Sequence, residues 1–190
     1  MPRAGFVLLL LAAFVPGLAR PQPTAAREVR AVAAIVRLRP SAFAQLPSAV
    51  RRDLERRGCR VPQTFASADR HNVIRGAFTA RGSAEWAVLC SIADTSRILV
   101  YRRDVLADSL ERQADRNYLQ DVKEVAPYGL GFSRRIGVAP PAVIRTHAKE
   151  LSSSPPPLVD HDAIEDSFGD KASKLFYFVR GRWRILQGMD

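Results

Sequence analysis

Three short apolar runs in close succession, residues 72–79, 85–91 and 97–101, constrain this chain more than any other feature. Each has strand length, and Ala80-Arg81-Gly82-Ser83-Ala84 and Ala93-Asp94-Thr95-Ser96 between them are the punctuation of hairpins. An antiparallel meander follows. In the middle run Trp86, Val88 and Cys90 alternate with Ala87 and Leu89, so neither face is wet and the strand is expected to be covered on both sides. Gly76 in the first run fits a bulge or a close backbone approach, because glycine otherwise weakens a strand; the bulge is favoured.

A helix is expected just upstream. Leu46-Pro47-Ser48 opens it, Val50 and Leu54 stand four apart on one face, and Gly58 supplies a left-handed stop. Arg51, Arg52, Arg56, Arg57 and Arg60 are interrupted by Asp53 and Glu55, which reads as a solvated face with Asp53 four before Arg57. Cys59 and Cys90 are the only cysteines. A disulfide between them would tie the end of that helix to the strand face carrying Trp86 and Val88, stabilising the fold by roughly 3 to 4 kcal/mol in the chain-entropy model. The alternative is two buried thiols. No Cys-x-x-Cys spacing exists to lower a thiol pKa, which disfavours a redox role.

The compartment agrees with a disulfide. Pro2-Arg3, the apolar run 6–15 and Gly17-Leu18-Ala19 have the order of a signal peptide over residues 1–19, with a mature chain from about Arg20. The run is about half the roughly 20 residues a membrane helix needs, so no membrane span is expected after cleavage. A periplasmic or secreted protein is the expectation. Residues 20–45 read as an N-terminal extension, partly irregular, in which helix and strand both remain open. Residues 46–190 read as a single α+β domain built on a central, mostly antiparallel sheet, with a packed helix and a C-terminal β-hairpin.

The formal charge of +10 comes from 25 Arg and 4 Lys against 19 acids. Such a surface attracts anionic partners through a salt-screened field, and a GC-rich genome would also produce it. For an exported chain the expected partner is an anionic polymer or a protein of the cell envelope; nucleic acid is disfavoured.

Past Tyr101, Val105, Leu106, Leu110, Tyr118 and Leu119 offer at best a short helix. Gly129-Leu130-Gly131-Phe132-Ser133-Arg134-Arg135 places flexible backbone beside two guanidinium groups, making Arg134 and Arg135 binding candidates for an anion, against a loop of solvent-facing arginines. It lacks the endings of a dinucleotide fingerprint or a P-loop. Residues 136–139 and 142–147 suggest two more strands around Pro140-Pro141, and Pro155-Pro156-Pro157 an extended connector. Residues 174–187 form a hairpin turning at Arg180-Gly181, with Phe178 opposite Trp183 and Phe176 opposite Ile185. Arginine is unusual at a positive-φ turn position, so a longer bulged turn competes. The other face carries Tyr177, Arg182 and Arg184, which join the binding candidates.

The densest polar cluster is Asp160-His161-Asp162-Ala163-Ile164-Glu165-Asp166, followed by Asp170 and Lys171. Asp160, His161, Asp162 and Glu165 are the candidates for acid-base or metal-assisted chemistry, provided they converge in a pocket. The competing reading is a helix start, with Asp162 and Glu165 at capping-box spacing. It is preferred, so no metal or cofactor is expected. No Gly-x-Ser-x-Gly or His-Glu-x-x-His motif occurs. Binding is therefore favoured over catalysis.

Gly58-Cys59-Arg60-Val61-Pro62-Gln63, Gly76-x-Phe78 and Trp86-Ala87-Val88-Leu89-Cys90-Ser91 join Pro155-Pro156-Pro157, the Asp160 to Phe168 cluster, Lys171-Ala172-Ser173 and Gly181-x-Trp183 in one pattern. It resembles a family of uncharacterised exported bacterial proteins, over about Leu46 to Asp190. The resemblance implies export and a shared fold, and no activity. The first meander is also similar to a calcium-binding propeller repeat, but residues 80–85 lack its aspartates and a single such unit is not a propeller.

Overall fold

Proline position and apolar spacing resolve the start of the chain. Pro23 opens helix α1 (Pro23–Ala33), where a missing amide is harmless, and Ala31 and Val32 turn inward with Ile35 just beyond. The computed structural model describes residues 23–123, 125, 127, 129–151, 159–169 and 171–187. The leader, the triple-proline connector and Asp170 lie outside them. Strand β1 (Arg37–Leu38) pairs with β2 (Val61–Pro62) in a short antiparallel ribbon. Between them lies α2 (Ser48–Arg56), with Val50 and Leu54 fully buried on one face and Gly58 stopping the helix at φ +70°. Val32, Ile35 and Phe43 are core residues, so α1 and the segment after it, ahead of residue 46, pack with the rest of the described residues.

Strands β3 (Val73–Gly76), β4 (Glu85–Ile92), β5 (Thr95–Arg102) and β6 (Val105–Ala114) form the expected antiparallel meander. Both faces of β4 are buried: Val88 and Cys90 pack with Val50 and Leu54 of α2, Ala87 and Leu89 with the inner face of a second sheet. The Cys59–Cys90 disulfide is formed, with Cα atoms 5.4 Å apart. Asp53 adds a second tie between helix and sheet, accepting the Tyr101 hydroxyl at 2.9 Å while Arg57 Nε donates to it at 2.7 Å. Gly76 stays in register with Glu85, so the expected bulge is replaced by a close approach: a Cβ there would lie 2.7 Å from the Phe78 ring. Residues 105–114 are a strand and no short helix, since the free edge of β5 offers a ladder that their alternating exposure suits.

A 3₁₀ turn (Asp115–Tyr118) leads to the ribbon of β7 (Leu119–Asp121) and β8 (Leu130–Phe132). Then β9 (Arg134–Ala139), helix α3 (Pro141–Leu151), β10 (Ala163–Phe168), β11 (Ala172–Val179) and β12 (Arg182–Gln187) build a second four-stranded antiparallel sheet, ordered β12-β11-β10-β9. The α+β class holds, but the single central sheet is corrected to two four-stranded sheets and two ribbons. Burial explains the change. The inner face of the first meander, Ala87, Leu89, Ile98 and Val100, packs on Ile136, Ile164 and Phe176 of the second sheet. The outer face of that sheet needs its own cover, which Ile144 of α3 supplies over Ala163 and Leu175. The layers run α2, sheet, sheet, α3.

Two more expectations change. Residues 142–147 are helical, with Pro141 at the helix start, and the acidic cluster enters a strand, so the capping-box reading of Asp162 and Glu165 falls. The hairpin stands as expected: Phe178 faces Trp183 with ring centroids 5.4 Å apart, Phe176 faces Ile185, and the turn has two residues, Arg180 at φ +51° and Gly181 at φ +77°.

The two halves also echo each other in sequence. His71-Asn72-Val73-Ile74-Arg75-Gly76-Ala77-Phe78 matches His161-Asp162-Ala163-Ile164-Glu165-Asp166-Ser167-Phe168 at His, Ile and Phe, at the start of β3 and of β10. Arg97-Ile98-Leu99 on β5 matches Arg184-Ile185-Leu186 on β12, and Pro47-x-Ala49-Val50-x-Arg52 at α2 matches Pro140-x-Ala142-Val143-x-Arg145 at α3. In chain order α2, β3 and β5 thus correspond to α3, β10 and β12, with the short β2 standing between α2 and β3.

Candidate functional site at the arginine-bearing turns

Strand geometry disperses the acidic cluster. Asp162 and Asp166 fall on the inter-sheet side of β10 and Glu165 on the α3 side, because successive residues of a strand point oppositely. Asp160 is exposed, and His161 is buried with Nδ1 3.2 Å from the Asp162 carbonyl oxygen. Asp162 accepts the Ala77 N–H at 2.9 Å through Oδ2, and its own N–H donates to the Ala77 carbonyl at 2.8 Å, strapping one sheet to the other. Among the described residues no three His, Cys, Asp or Glu side chains are arranged to hold a metal ion. Asp162 and Glu165 face opposite sides of β10 and do not face one another.

Arg134 is likewise withdrawn from ligand binding. Its side chain is fully buried, and all of its donors are engaged: Nε and Nη2 reach Asp166 at 2.9 and 2.8 Å, Nη1 reaches the Ser96 hydroxyl and carbonyl, and Nη2 also reaches the Glu111 carbonyl. The guanidinium lies 4.5 Å from the centre of the Tyr118 ring. A charge from the second sheet thus bonds strands β5 and β6 of the first. Local sequence hid this, although Arg134 shares a strand face with the core residue Ile136. Tyr177 is half-buried beside Val143 and Leu186 on the α3 side, while Arg135, Arg182 and Arg184 are exposed.

Three turns meet at one end of the sandwich: the 77–84 loop, the Arg103-Asp104 turn and the Arg180-Gly181 turn. The Arg102 guanidinium, 5.7 Å from the centre of the Phe178 ring, joins the second to the third. Glu85 shapes the first from within. Its Oε2 accepts Phe78 N–H at 2.7 Å, Thr79 N–H at 2.8 Å and the Ser83 hydroxyl at 3.0 Å, and its Oε1 accepts the Thr79 hydroxyl. Between this loop and Arg102 and Arg103 opens a hollow of about 610 Å³. Arg102 is neutralised by Asp108 at 2.8 Å. Arg81, Arg103, Arg180 and Arg182 are exposed and have no hydrogen bond or ion pair among the described residues; Asp104 is the free acid on these turns.

The backbone at two of these arginines is unusual. Arg103 and Arg180 hold φ +49° and +51° at the first centre of two-residue hairpin turns, a position ordinarily given to Asn, Asp or Gly. A side chain with a Cβ is held there at a cost of roughly 1 to 2 kcal/mol. Only Arg180 stands out in the sequence, because Gly181 beside it marks a turn.

No family model, curated protein or solved structure matches the chain. Among the described residues no helix is long and apolar enough to cross a membrane.

Proposed function

We propose that this chain is an exported binding domain that docks an anionic polymer of the cell envelope, an acidic polysaccharide, on its arginine-bearing turns. One observation carries this: arginines occupy the left-handed positions of two adjoining turns, where they weaken the fold and project unpaired guanidinium groups beside an open hollow. Guanidinium forks suit carboxylate and sulfate geometry, and several of them on one rigid end give a salt-sensitive, multivalent contact. The apolar leader, the disulfide and the likeness to uncharacterised exported proteins all support export. Asp162 and Glu165 lie on opposite faces of β10, which favours binding over catalysis by the acidic cluster.

Heparin affinity chromatography in a salt gradient tests the proposal. Arg103→Asn, Arg180→Asn and Arg182→Gln should each elute at lower salt than the parent, while Arg52→Gln, exposed on α2, should elute with it. Equal elution of all four variants would sink the proposal.

A further inference from the structure

We propose a second ligand site, for a single acidic sugar ring, in the polar cleft beside Arg135 at the other end of the sandwich. It lies beyond the polymer-docking surface and does not depend on it. Strand β10 starts just after Asp162, which bonds Ala77 at the turn end, and finishes at Phe168, which pairs with Arg134; Arg135 therefore sits a strand length away from the arginine turns.

The cleft measures about 300 Å³ and is lined by Thr64, Phe65, Gln120, Ser133, Arg135 and Ser167 among others, none of them acidic. That volume is at the lower end of ligand cavities, roughly 300 to 1,000 Å³, and suits one ring better than a chain. Arg135 is exposed and unpaired among the described residues, so its fork is free for a carboxylate. The Ser167 hydroxyl donates to the Arg135 carbonyl at 3.1 Å and the Ser133 hydroxyl to the Tyr118 carbonyl at 3.0 Å. With their hydrogens committed to the protein, both oxygens keep lone pairs for the hydroxyls of a sugar. The Thr64 hydroxyl and Gln120 amide have no hydrogen bond among the described residues and can donate.

Phe65 supplies the apolar element. Its ring packs directly on Gly131, where a Cβ would fall 2.4 Å from the ring, and it remains 40% exposed. Only glycine permits this seating. The loop is set before any ligand arrives: Phe65 N–H donates to the Phe132 carbonyl at 2.9 Å, and Thr64 N–H to His71 Nε2 at 2.7 Å. A guanidinium, hydroxyl acceptors, an amide and an open aromatic ring together match the carboxylate, hydroxyls and C–H face of a uronic acid.

Backbone-amide NMR titration of the full chain with D-glucuronate, D-glucose and inorganic phosphate as separate arms tests the site. Glucuronate should give saturable shifts at Phe65, Ser67 and Ser167, with glucose and phosphate weaker by about tenfold or more. Arg135→Gln and Phe65→Ala should each weaken glucuronate binding by about tenfold, and Arg52→Gln, exposed on α2, should leave it unchanged. Glucose or phosphate binding as tightly as glucuronate, full binding by Arg135→Gln, or no shift at these amides overturns the assignment.

Discussion

A guanidinium in the interior stays charged, so its neighbours must offset the cost of desolvating it. Burial pulls the Arg134 pKa down, and the hydrogen-bonded Asp166 carboxylate more than reverses that, leaving it raised. Removing one partner strands the other charge, so Asp166→Ala should destabilise the fold by about 3 to 5 kcal/mol, while Arg134→Met with Asp166→Leu should recover much of the loss. Urea denaturation reads both, and a single variant with the wild-type midpoint would contradict the account. His71 is a second interior group with a directional consequence. Its Nε2 accepts from Thr64 N–H, so Nδ1 carries the proton and donates to the Asp69 carbonyl at 2.8 Å, as neutral imidazole. Burial lowers its pKa from 6.5, the Asp69 carbonyl opposes this and the Arg135 charge assists it. The folded state thus binds fewer protons than the unfolded one. The His71 contribution is complete above pH 6.5 and is lost as pH falls through that value toward the folded one. Thermal melts between about pH 7.5 and 5 should fall more steeply for wild type than for His71→Gln, whose amide can accept the Thr64 N–H but cannot titrate.

The arginine turns set stability against binding. Asparagine relieves the left-handed strain, so Arg103→Asn and Arg180→Asn should each raise stability by about 1 kcal/mol, or about 2 to 4 °C in Tm, while lowering affinity for heparin. Scanning calorimetry measures the first effect; a fall in Tm would show that these side chains are structural. The turns and α2 were legible in the chain because their signals are local, an i, i+4 apolar pair or two residues between matched strands. Strand β10 was not. Ile164 and Phe168 stand four apart, which puts them on one face of a helix and equally, being an even interval, on one face of a strand. Only pairing with β9 and β11 decides between the two. Residues 142–147 failed in the opposite sense, because a short apolar run after two prolines suits a strand until Pro141 is seen to open α3.

At the scale of the molecule, the repeated halves reach into each other from equivalent positions. Asn72, at φ +68°, donates to the Pro62 and Arg134 carbonyls at 2.7 and 3.2 Å and accepts the Ile136 N–H at 2.9 Å; its counterpart Asp162 bonds Ala77 in the other half. Asn72→Ala removes the acceptor of the buried Ile136 N–H and a donor to the Pro62 and Arg134 carbonyls, of which Pro62 keeps the Gln63 amide, and should destabilise by about 1 to 3 kcal/mol. Trp86 and Trp183 stand on different sheets, so single-tryptophan variants can follow each sheet separately, and coincident melting is expected. From residue pattern alone came the first meander, the helix bolted to it through Cys59 and Cys90, and the closing hairpin, because each is written in spacings of a few residues. The tertiary structure alone decided that a second sheet covers the first, that Arg134 and Asp166 meet between them, that the acidic cluster is divided by a strand, and that arginine turns from both halves share one end. These depend on which faces meet across long separations in the chain, and alternation along a strand marks a face as buried without saying what buries it.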